Sequence, residues 1–273
     1  MPLRILTNTQ SLFAQTNLGI AQKGLNQALE RLSSGLRINH AYDDPAGFLF
    51  SLQMSFTING SAAGNNNLRM AIELMNTADS YSRTISENLS RMNELATQAH
   101  NALLTADQRA GLNYEFRELI GEIQRLAQNA VYNGKTLLDG SIIGSAVQAG
   151  FSVSDVVQIS INSLTTAALG IAALSISSMT AASSSIAAVN SAAVTILSPA
   201  VASLGAQAAG WMKSTEAQDF YLTNLRAARS RINDADIAAE TTNLTNYQVI
   251  VQAGVAALAQ SNSAQTLALG LLQ

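Results

Sequence analysis

The 273-residue sequence predicts a mainly α protein, a long antiparallel helical coiled-coil bundle with a small β-hairpin region. Three observations support this class. Apolar residues make up 48% of the chain, aromatic residues only 5%, and prolines number three, which favours long helices over a β-sandwich. Several long segments carry apolar residues at alternating steps of three and four, the heptad pattern of coiled coils. One short segment, residues 157–161, alternates with period two and predicts a strand.

The first predicted helix carries a continuous apolar seam before residue 35. The seam is formed by Ala14, Leu18, Ala21, Leu25, Ala28 and Leu32. Gly35 follows the last of these residues and is predicted to end the helix, because glycine readily adopts the left-handed conformation found at helix C-termini.

A dense polar joint follows in ERLSSGLRINHAYDDPAG, residues 30–47. Asp43 or Asp44 is predicted to cap the next helix, and Pro45 suits its first turn because an N–H at that position has no intrahelical partner. The two aspartates are also a conceivable carboxylate pair, but the proline directly after them favours capping. Asp234 and Asp236, in a second joint, have the same interpretation.

The middle of the chain predicts further helices. One runs from Pro45 to about residue 100, and Gly60 and Gly64 are predicted to mark a bend in it. Thr105 to Gln108 form a capping box for a third helix. The seams of these two helices are Leu68, Ile72, Met75, Ile85, Leu89, Met92, Ala96, Ala99 and Leu103, then Leu112, Phe116, Leu119, Ile123, Leu126 and Ala130.

The second half predicts a turn at 132–134, a strand at 157–161 with a partner within 142–151, and two more helices. The first helix begins near Ser183 and runs towards Ile232, with Pro199 starting or kinking it. The last follows the second joint. Its seam is Ile237, Leu244, Val251, Leu258 and Leu272, interrupted by Gln265.

Composition and motifs exclude several classes of function. Charged residues make up 12% of the chain and the net charge is -3, so no basic nucleic-acid-binding surface is expected. The absence of cysteine excludes disulfides and thiolate chemistry. His40 and His100 have no ligand-spaced neighbours, and no catalytic, metal or cofactor site is expected. No signal peptide is expected in the first residues, because polar residues stand where an apolar stretch should run, and the most apolar window, 249–259, is predicted to be too short to span a membrane.

The two terminal helices point to assembly. Both have an apolar seam and polar but mostly uncharged remaining faces, and an aspartate-bearing joint separates each from the middle of the chain. Amides and hydroxyls can be buried once they are hydrogen-bonded, at a lower cost than charges. The two terminal helices are therefore predicted to pair with each other and to be buried inside an assembly.

Three segments resemble the signatures of bacterial flagellins. These are SLFAQTNLGIAQKGLNQALERLSSGLRINHAYDDPAG, then RMNELATQAHN with ADQRAGLNYEFRELIGEIQRLAQNAVYNGKTLL, and finally SRINDADIAAETTNLTNYQVIVQAGVAALAQSNSAQTLALGLL. The resemblance covers residues 1 to about 139 and 226 to 273.

The resemblance implies a subunit of the extracellular flagellar filament, exported unfolded by the flagellar type III route. Residues 1–43 and 236–273 would form an inner-core coiled coil, and residues 44–235 an outer-core helical domain, with the first joint as the spoke between them. Residues 140–185 would be a short hairpin and low-charge surface segment, so the outermost domains of longer flagellins are missing.

The resemblance also implies partners. The chain would form a homopolymer and meet sister flagellins, an export chaperone at its C-terminal helix, and the cap and hook–filament junction proteins. Neither nucleic acid binding nor membrane insertion is implied. An innate-immune flagellin receptor would contact an arginine, a leucine and a glutamate, which motif matching places at Arg91, Leu95 and Glu115.

Two alternatives remain at this stage. Pro45 in HAYDDPAGFLF is similar to the hook–filament junction proteins, relatives of flagellin that form a single ring rather than a long fibre. A membrane-active helical protein would need lysine-rich polar faces, which the terminal helices lack.

Overall fold

The computed structural model describes residues 8–270, and the side chains of residues 8–264. It confirms the mainly α class with small antiparallel strand pairs. The helices are α1 (Thr9–Ser34), α2 (Pro45–Ala99), α3 (Ala106–Asn129), α4 (Met179–Ser191), α5 (Ser198–Asn233) and α6 (Ile237–Gly270). The strands are β1 (Val131–Tyr132), β2 (Lys135–Thr136), β3 (Ser145–Gln148) and β4 (Val156–Ile159).

The ends of α1 and α3 follow from local side-chain chemistry. Asn8 caps α1 by accepting a 3.0 Å hydrogen bond from the amide of Ser11. Gly35 ends α1 in the left-handed conformation, with φ of 71°, and its N–H donates to the carbonyl of Arg31. The predicted capping box of α3 is confirmed, because Thr105 and Gln108 each accept the other's backbone N–H.

Helix α2 is continuous through Gly60 and Gly64. Both glycines allow the loop after β3 to pack closely against α2. A Cβ at Gly60 would clash with the ring of Phe151, and a Cβ at Gly64 would clash with the backbone of Ala149. The sequence predicted a bend at these glycines, and the structure shows at both positions the close approach of another segment to the backbone of α2.

The turn after α2 corrects one seam position. Leu103 continues the heptad spacing, yet α2 ends at Ala99 and Leu103 is 88% exposed. The guanidinium of Arg109 fixes this turn by donating to the carbonyls of Ala99, Asn101 and Leu104. Those acceptors include carbonyls that an ending helix leaves without an intrahelical partner.

The strands form two hairpins. Strands β1 and β2 are joined by Asn133 and Gly134, both with positive φ, as a two-residue hairpin turn requires. Strands β3 and β4 pair antiparallel, with Ser145 opposite Ile159 and Gln148 opposite Val156. This pairing confirms the predicted strand and its predicted partner segment.

The helix predicted to begin near Ser183 begins four residues earlier. Ser178 caps α4 by accepting a 3.1 Å hydrogen bond from the amide of Ala181. Between α4 and α5 lies a π-helical turn, Ala192–Leu197, directly before Pro199. The N–H of Ser198 reaches back to Ala193, and Pro199 has no N–H to continue the ordinary α pattern, so the expected disturbance takes the form of a widened turn.

The described chain forms two compact units. One contains the described residues up to Phe56 and those from Asn224 onward, and the other is Thr57–Thr223. The divisions fall inside α2 and α5 rather than at the predicted boundaries 43/44 and 235/236. The first turns of α2 belong with the terminal helices because Arg229 donates to Ser55, and Gly47 lies close to buried Ile38.

The 57–223 unit has one hydrophobic core supplied by α2, α3, the hairpin region, α4 and α5. Its largest fully buried side chains are Leu68, Met75, Ile85, Leu89, Met92, Leu95, Phe116, Ile123, Leu137, Leu138, Ile161 and Leu164. The heptad spacing predicted most of the α2 and α3 members, whereas the four from 137 to 164 lie where the sequence has no helical period.

One helical run is long and apolar enough to cross a membrane by length and composition. It is Met179–Asn233, with a mean hydropathy of 1.6 over 18 residues. This run is distinct from the shorter apolar window 249–259. The run contributes Val189, Leu197 and Leu204 to the core of the 57–223 unit. Core helices of soluble proteins share this length and composition.

Candidate assembly interface

The two polar joints contact each other. Leu36 and Asp234 form an isolated antiparallel bridge, and the amide of Ala235 donates to the carbonyl of Gly35 at 2.9 Å. The Arg37 guanidinium donates twice to the carbonyl of Ile232, at 2.6 and 3.2 Å. The end of α1 is therefore tied to the end of α5 through backbone groups and one arginine.

The joint aspartates have separate roles. Asp44 accepts a 3.0 Å hydrogen bond from the amide of Gly47 and so caps α2. Asp43 accepts from the amides of His40 and Asn39, at 2.9 and 3.1 Å, and closes the turn before the helix. The bonds from His40 and Asn39 hold the pKa of Asp43 below its ordinary value, against the opposing effect of partial burial.

The second joint has a similar division of roles. Asp236 accepts from the amides of Ala238 and Ala239, at 2.9 and 3.2 Å, and caps α6. Asp234 accepts from the hydroxyl of Ser230 one turn earlier in α5. Local hydrogen bonds thus account for all four aspartates, and in the described residues no group of three histidine, aspartate or glutamate side chains could hold a metal ion.

Helices α1 and α6 pack antiparallel against each other. As the residue number rises along α1 from 8 to 31, the partner on α6 falls from 261 to 240. The pairs are Asn8 with Ser261, Leu18 with Gly254, Gly24 with Tyr247, and Arg31 with Glu240.

The predicted seam residues lie on the facing sides of this pair. Ala21 and Ala28 are buried, and Leu18, Leu25, Leu32, Leu244, Val251 and Leu258 are partly buried. Ile237 is 51% exposed, because the inward position at the start of α6 belongs to Glu240. Leu272 lies outside the described residues. The heptad pattern did not predict four further residues that lie at steps of three and four on the face of α6 turned towards α1. These residues are Glu240, Tyr247, Gly254 and Ser261.

Each terminal helix has large apolar side chains that its partner leaves exposed. On α1 they include Leu12, Phe13 and Ile20, and on α6 they include Val249, Ile250 and Val255. After Glu240 the sequence has no charged residue. An apolar surface of this kind on charge-poor helices is typical of a protein–protein interface.

The three residues predicted to meet an immune receptor do not share one environment. The Arg91 guanidinium pairs with Glu115 at 2.9 Å and with Glu94 at 3.0 Å, and the Arg91 and Glu115 side chains are 45% and 48% exposed. Hydrogen bonds to Glu115 and Glu94 raise the pKa of Arg91. Leu95 is 0% exposed and belongs to the core, so a direct receptor contact by its side chain is not compatible with this structure.

Comparison with known families decides the identity. Residues 5–142 match the bacterial flagellin N-terminal helical region, and residues 186–272 match the bacterial flagellin C-terminal helical region. The chain belongs to the bacterial flagellins.

Two similar proteins match this chain over nearly its whole length. The flagellar filament 33 kDa core protein of Treponema phagedenis is 31% identical over 281 residues, covering 97% of this chain and 98% of that protein. A flagellin of Halalkalibacterium halodurans is 33% identical over 267 residues, with the same coverage. The crystal structure of Bacillus cereus flagellin has 24% identity and a TM-score of 0.45, and covers 59% of this chain and 88% of that one.

This flagellin is therefore a structural subunit that self-assembles into the extracellular bacterial flagellar filament. The family is structural rather than enzymatic. The alternative of a hook–filament junction protein is not better supported by these matches.

Proposed function

We propose that α1 and α6 form the inner core of the flagellin filament and become fully buried only on polymerisation. Residues 1–43 and 236–273 make up this inner part, and residues 44–235 make up the outer core. The two polar joints, which contact each other, form the spoke between them. The observation that carries the proposal is the exposed apolar surface that remains on both helices after they have paired.

Energetics favour coupling between folding and assembly. Ordering each residue costs about 1–2 kcal/mol of backbone entropy, and isolated helices gain little from propensity in water. Burial of apolar surface returns about 25 cal/mol per Å². One helix partner covers only one face of each terminal helix, so lateral neighbours in the filament supply the remaining burial, above all at Leu12, Phe13, Val249 and Ile250.

Truncation tests this proposal. A chain lacking residues 1–42 and 237–273 should remain helical and soluble, because the core of the 57–223 unit is untouched, but it should form no filaments under electron microscopy. In dilute full-length monomer a protease should cleave both ends first. Filaments formed by the truncated chain, or protease-resistant ends in the monomer, would show that α1 and α6 do not have this role.

The same proposal accounts for the remaining expected partners. A helix α6 that has no charged residue after Glu240 and is incompletely buried before assembly needs protection, which an export chaperone at the C-terminal helix would provide before type III export. The cap, hook–filament junction and sister flagellin subunits would then contact the same terminal faces as a second copy of this chain. Copurification of full-length monomer with the flagellar chaperone, lost when residues 237–273 are deleted, would test the first step.

We propose a second role for the exposed ion pair of Arg91 and Glu115 as a contact for an innate-immune flagellin receptor. Its support is that both side chains are half exposed and held in one geometry by a 2.9 Å contact. The Arg91→Asp variant should lose receptor activation in a reporter cell line. Arg125→Asp, which breaks the comparably exposed pair with Glu122, is the matched control and should signal normally.

A further inference from the structure

The seam of α1 repeats the same residue types every seven positions. Alanine occurs at 14, 21 and 28, and leucine at 18, 25 and 32. The α6 seam is nearly as regular, with Leu244, Val251 and Leu258. Sliding one helix by a heptad would place alanine on alanine and leucine on leucine while moving the helix by about 10 Å. This seam alone therefore does not determine which register the two helices adopt.

One contact that breaks the repeat is between Tyr247 and Gly24. A Cβ on Gly24 would lie 2.5 Å from Cζ of the Tyr247 ring, so the ring can keep this position only while residue 24 is glycine and must move aside for any larger residue. The other glycine of α1, Gly19, is five positions away and not one heptad. A one-heptad slip would place Tyr247 opposite Asn17 or Arg31, and neither leaves that space.

The second contact that breaks the repeat is the ion pair of Arg31 and Glu240. Their side chains approach to 3.8 Å, and Glu240 is 9% exposed and is the sole charged residue in the sequence of α6. After a one-heptad slip, Glu240 would lie opposite Gly24 or beyond the end of α1. A carboxylate buried without a cation is strongly unfavourable, and setting register is the best-attested role of buried polar pairs.

We propose that the Tyr247–Gly24 contact and the Arg31–Glu240 ion pair set the register along the α1–α6 pair and, with the backbone contacts between the two joints, exclude heptad-slipped pairing. The correct register brings the end of α1 and the start of α6 to the same point, where the two joints meet. Only then do successive subunits present identical terminal faces to one another. The inference uses the proposed role of the terminal pair in the filament only to choose the sample in which register is measured.

The register can be measured by distance because the chain has no cysteine. Exposed residues Gln15 and Thr242 are replaced by cysteine and spin-labelled, and labelled subunits are diluted into filaments of unlabelled protein so that only distances within one chain are read. Pulsed electron paramagnetic resonance should give one distance in the wild-type background. A one-heptad slip would change the axial separation of the labels by about 10 Å.

Four variants separate the two contacts. Gly19→Ala is the matched control, because no atom lies within 4 Å of its added Cβ, and it should keep the native distance. Gly24→Ala should lose the native distance or the filaments, although alanine favours helix at both sites. The double variant Gly24→Ala, Tyr247→Ala removes the clash and should restore filaments with the native distance, because Arg31 and Glu240 still pair. The triple variant, which also carries Glu240→Gln, should give several distances or lose the filaments again.

Three results would each overturn the inference. The first is a native distance in Gly24→Ala. The second is loss of the native distance in the double variant Gly24→Ala, Tyr247→Ala. The third is a single native distance with undiminished filament yield in the triple variant. Failure of the inner-core proposal would be seen separately, as filaments formed by the truncated chain.

Discussion

The carbonyl oxygen of Ala149 lies where a side chain on Gly64 would be, 2.4 Å from the position of a Cβ. The chain just after β3 thus approaches the backbone of α2 with no room for a methyl group. The side-chain amide of Gln218 in α5 also donates from Nε2 to the same carbonyl at 2.9 Å, so this oxygen connects three parts of the 57–223 unit.

Replacing Gly64 with alanine should destabilise the 57–223 unit. The methyl group would push the Ala149 carbonyl away and weaken its bond from Gln218, and overpacking of this kind costs about 1–3 kcal/mol. Gly121→Ala in α3 is the matched control, because nothing lies within 4 Å of its Cβ and alanine favours helix by up to about 1 kcal/mol. Urea unfolding followed by circular dichroism measures the stability of both variants. Equal unfolding midpoints for Gly64→Ala and Gly121→Ala would refute the close approach.

Leu95 should affect folding rather than recognition. Because the side chain is fully buried, Leu95→Ala should lower the free energy of unfolding by about 2–5 kcal/mol. Leu95→Met keeps the volume and should cost less than about 1.5 kcal/mol, while receptor activation stays at the wild-type level. A methionine variant that is as stable as wild type but fails to activate the receptor would instead indicate a direct contact by the leucine.

The first joint should weaken in acid through Asp43. Its pKa is lower in the folded chain than its ordinary value of 3.8, because the amides of His40 and Asn39 donate to its carboxylate. The stabilisation is therefore complete above the ordinary value and is lost as the pH falls through the lower folded value. In urea unfolding at neutral pH, the free energy of unfolding should be higher for wild type than for Asp43→Asn. This difference in free energy should shrink below pH 3.8. A difference that does not change with pH would exclude this role.

A charge on the inward face of α6 should block assembly. Leu258→Asp places a carboxylate between α1 and α6, where no residue in the described part of α1 near it carries a cation, and burying it would be unfavourable. Filaments should be absent under electron microscopy, while the circular dichroism of the 57–223 unit is retained. Asn190→Asp, on an exposed position of α4, is the control and should still give filaments. Filaments from Leu258→Asp would contradict the inward placement of this residue.

Heptad spacing predicted the facing sides of α1 and α3 because burial on a helix repeats with the helix itself. It failed where another element decided the outcome. Leu103 continued the spacing, but the guanidinium of Arg109 holds the carbonyls at the end of α2 in a turn. Glu240 is polar and was excluded from the seam, although Arg31 across the interface makes its burial possible.

The joints were the part of the interface that the sequence predicted best, because helix capping depends on residues within a few positions of one another. The sequence left Asp43 and Asp44 as equal candidates for the cap, and the structure distinguishes them by which amides each carboxylate faces. The contact of Arg37 with Ile232 links residues 195 positions apart, and no local pattern indicates it. Burial of Leu95 was equally invisible to motif matching, which compares residue types and not their surroundings.

The π-helical turn before Pro199 has a consequence for chain length. Buried residues along this run are three or four apart on both sides of the turn, but Ala192 and Leu197 are five apart. The turn therefore absorbs one additional residue without rotating the inward face. Deleting one residue within 192–197 would keep the buried faces on both sides of the turn aligned, whereas a deletion elsewhere in the run would turn every later side chain by about 100°. A deletion of a single residue can thus be accommodated at this turn while the core beneath it is preserved.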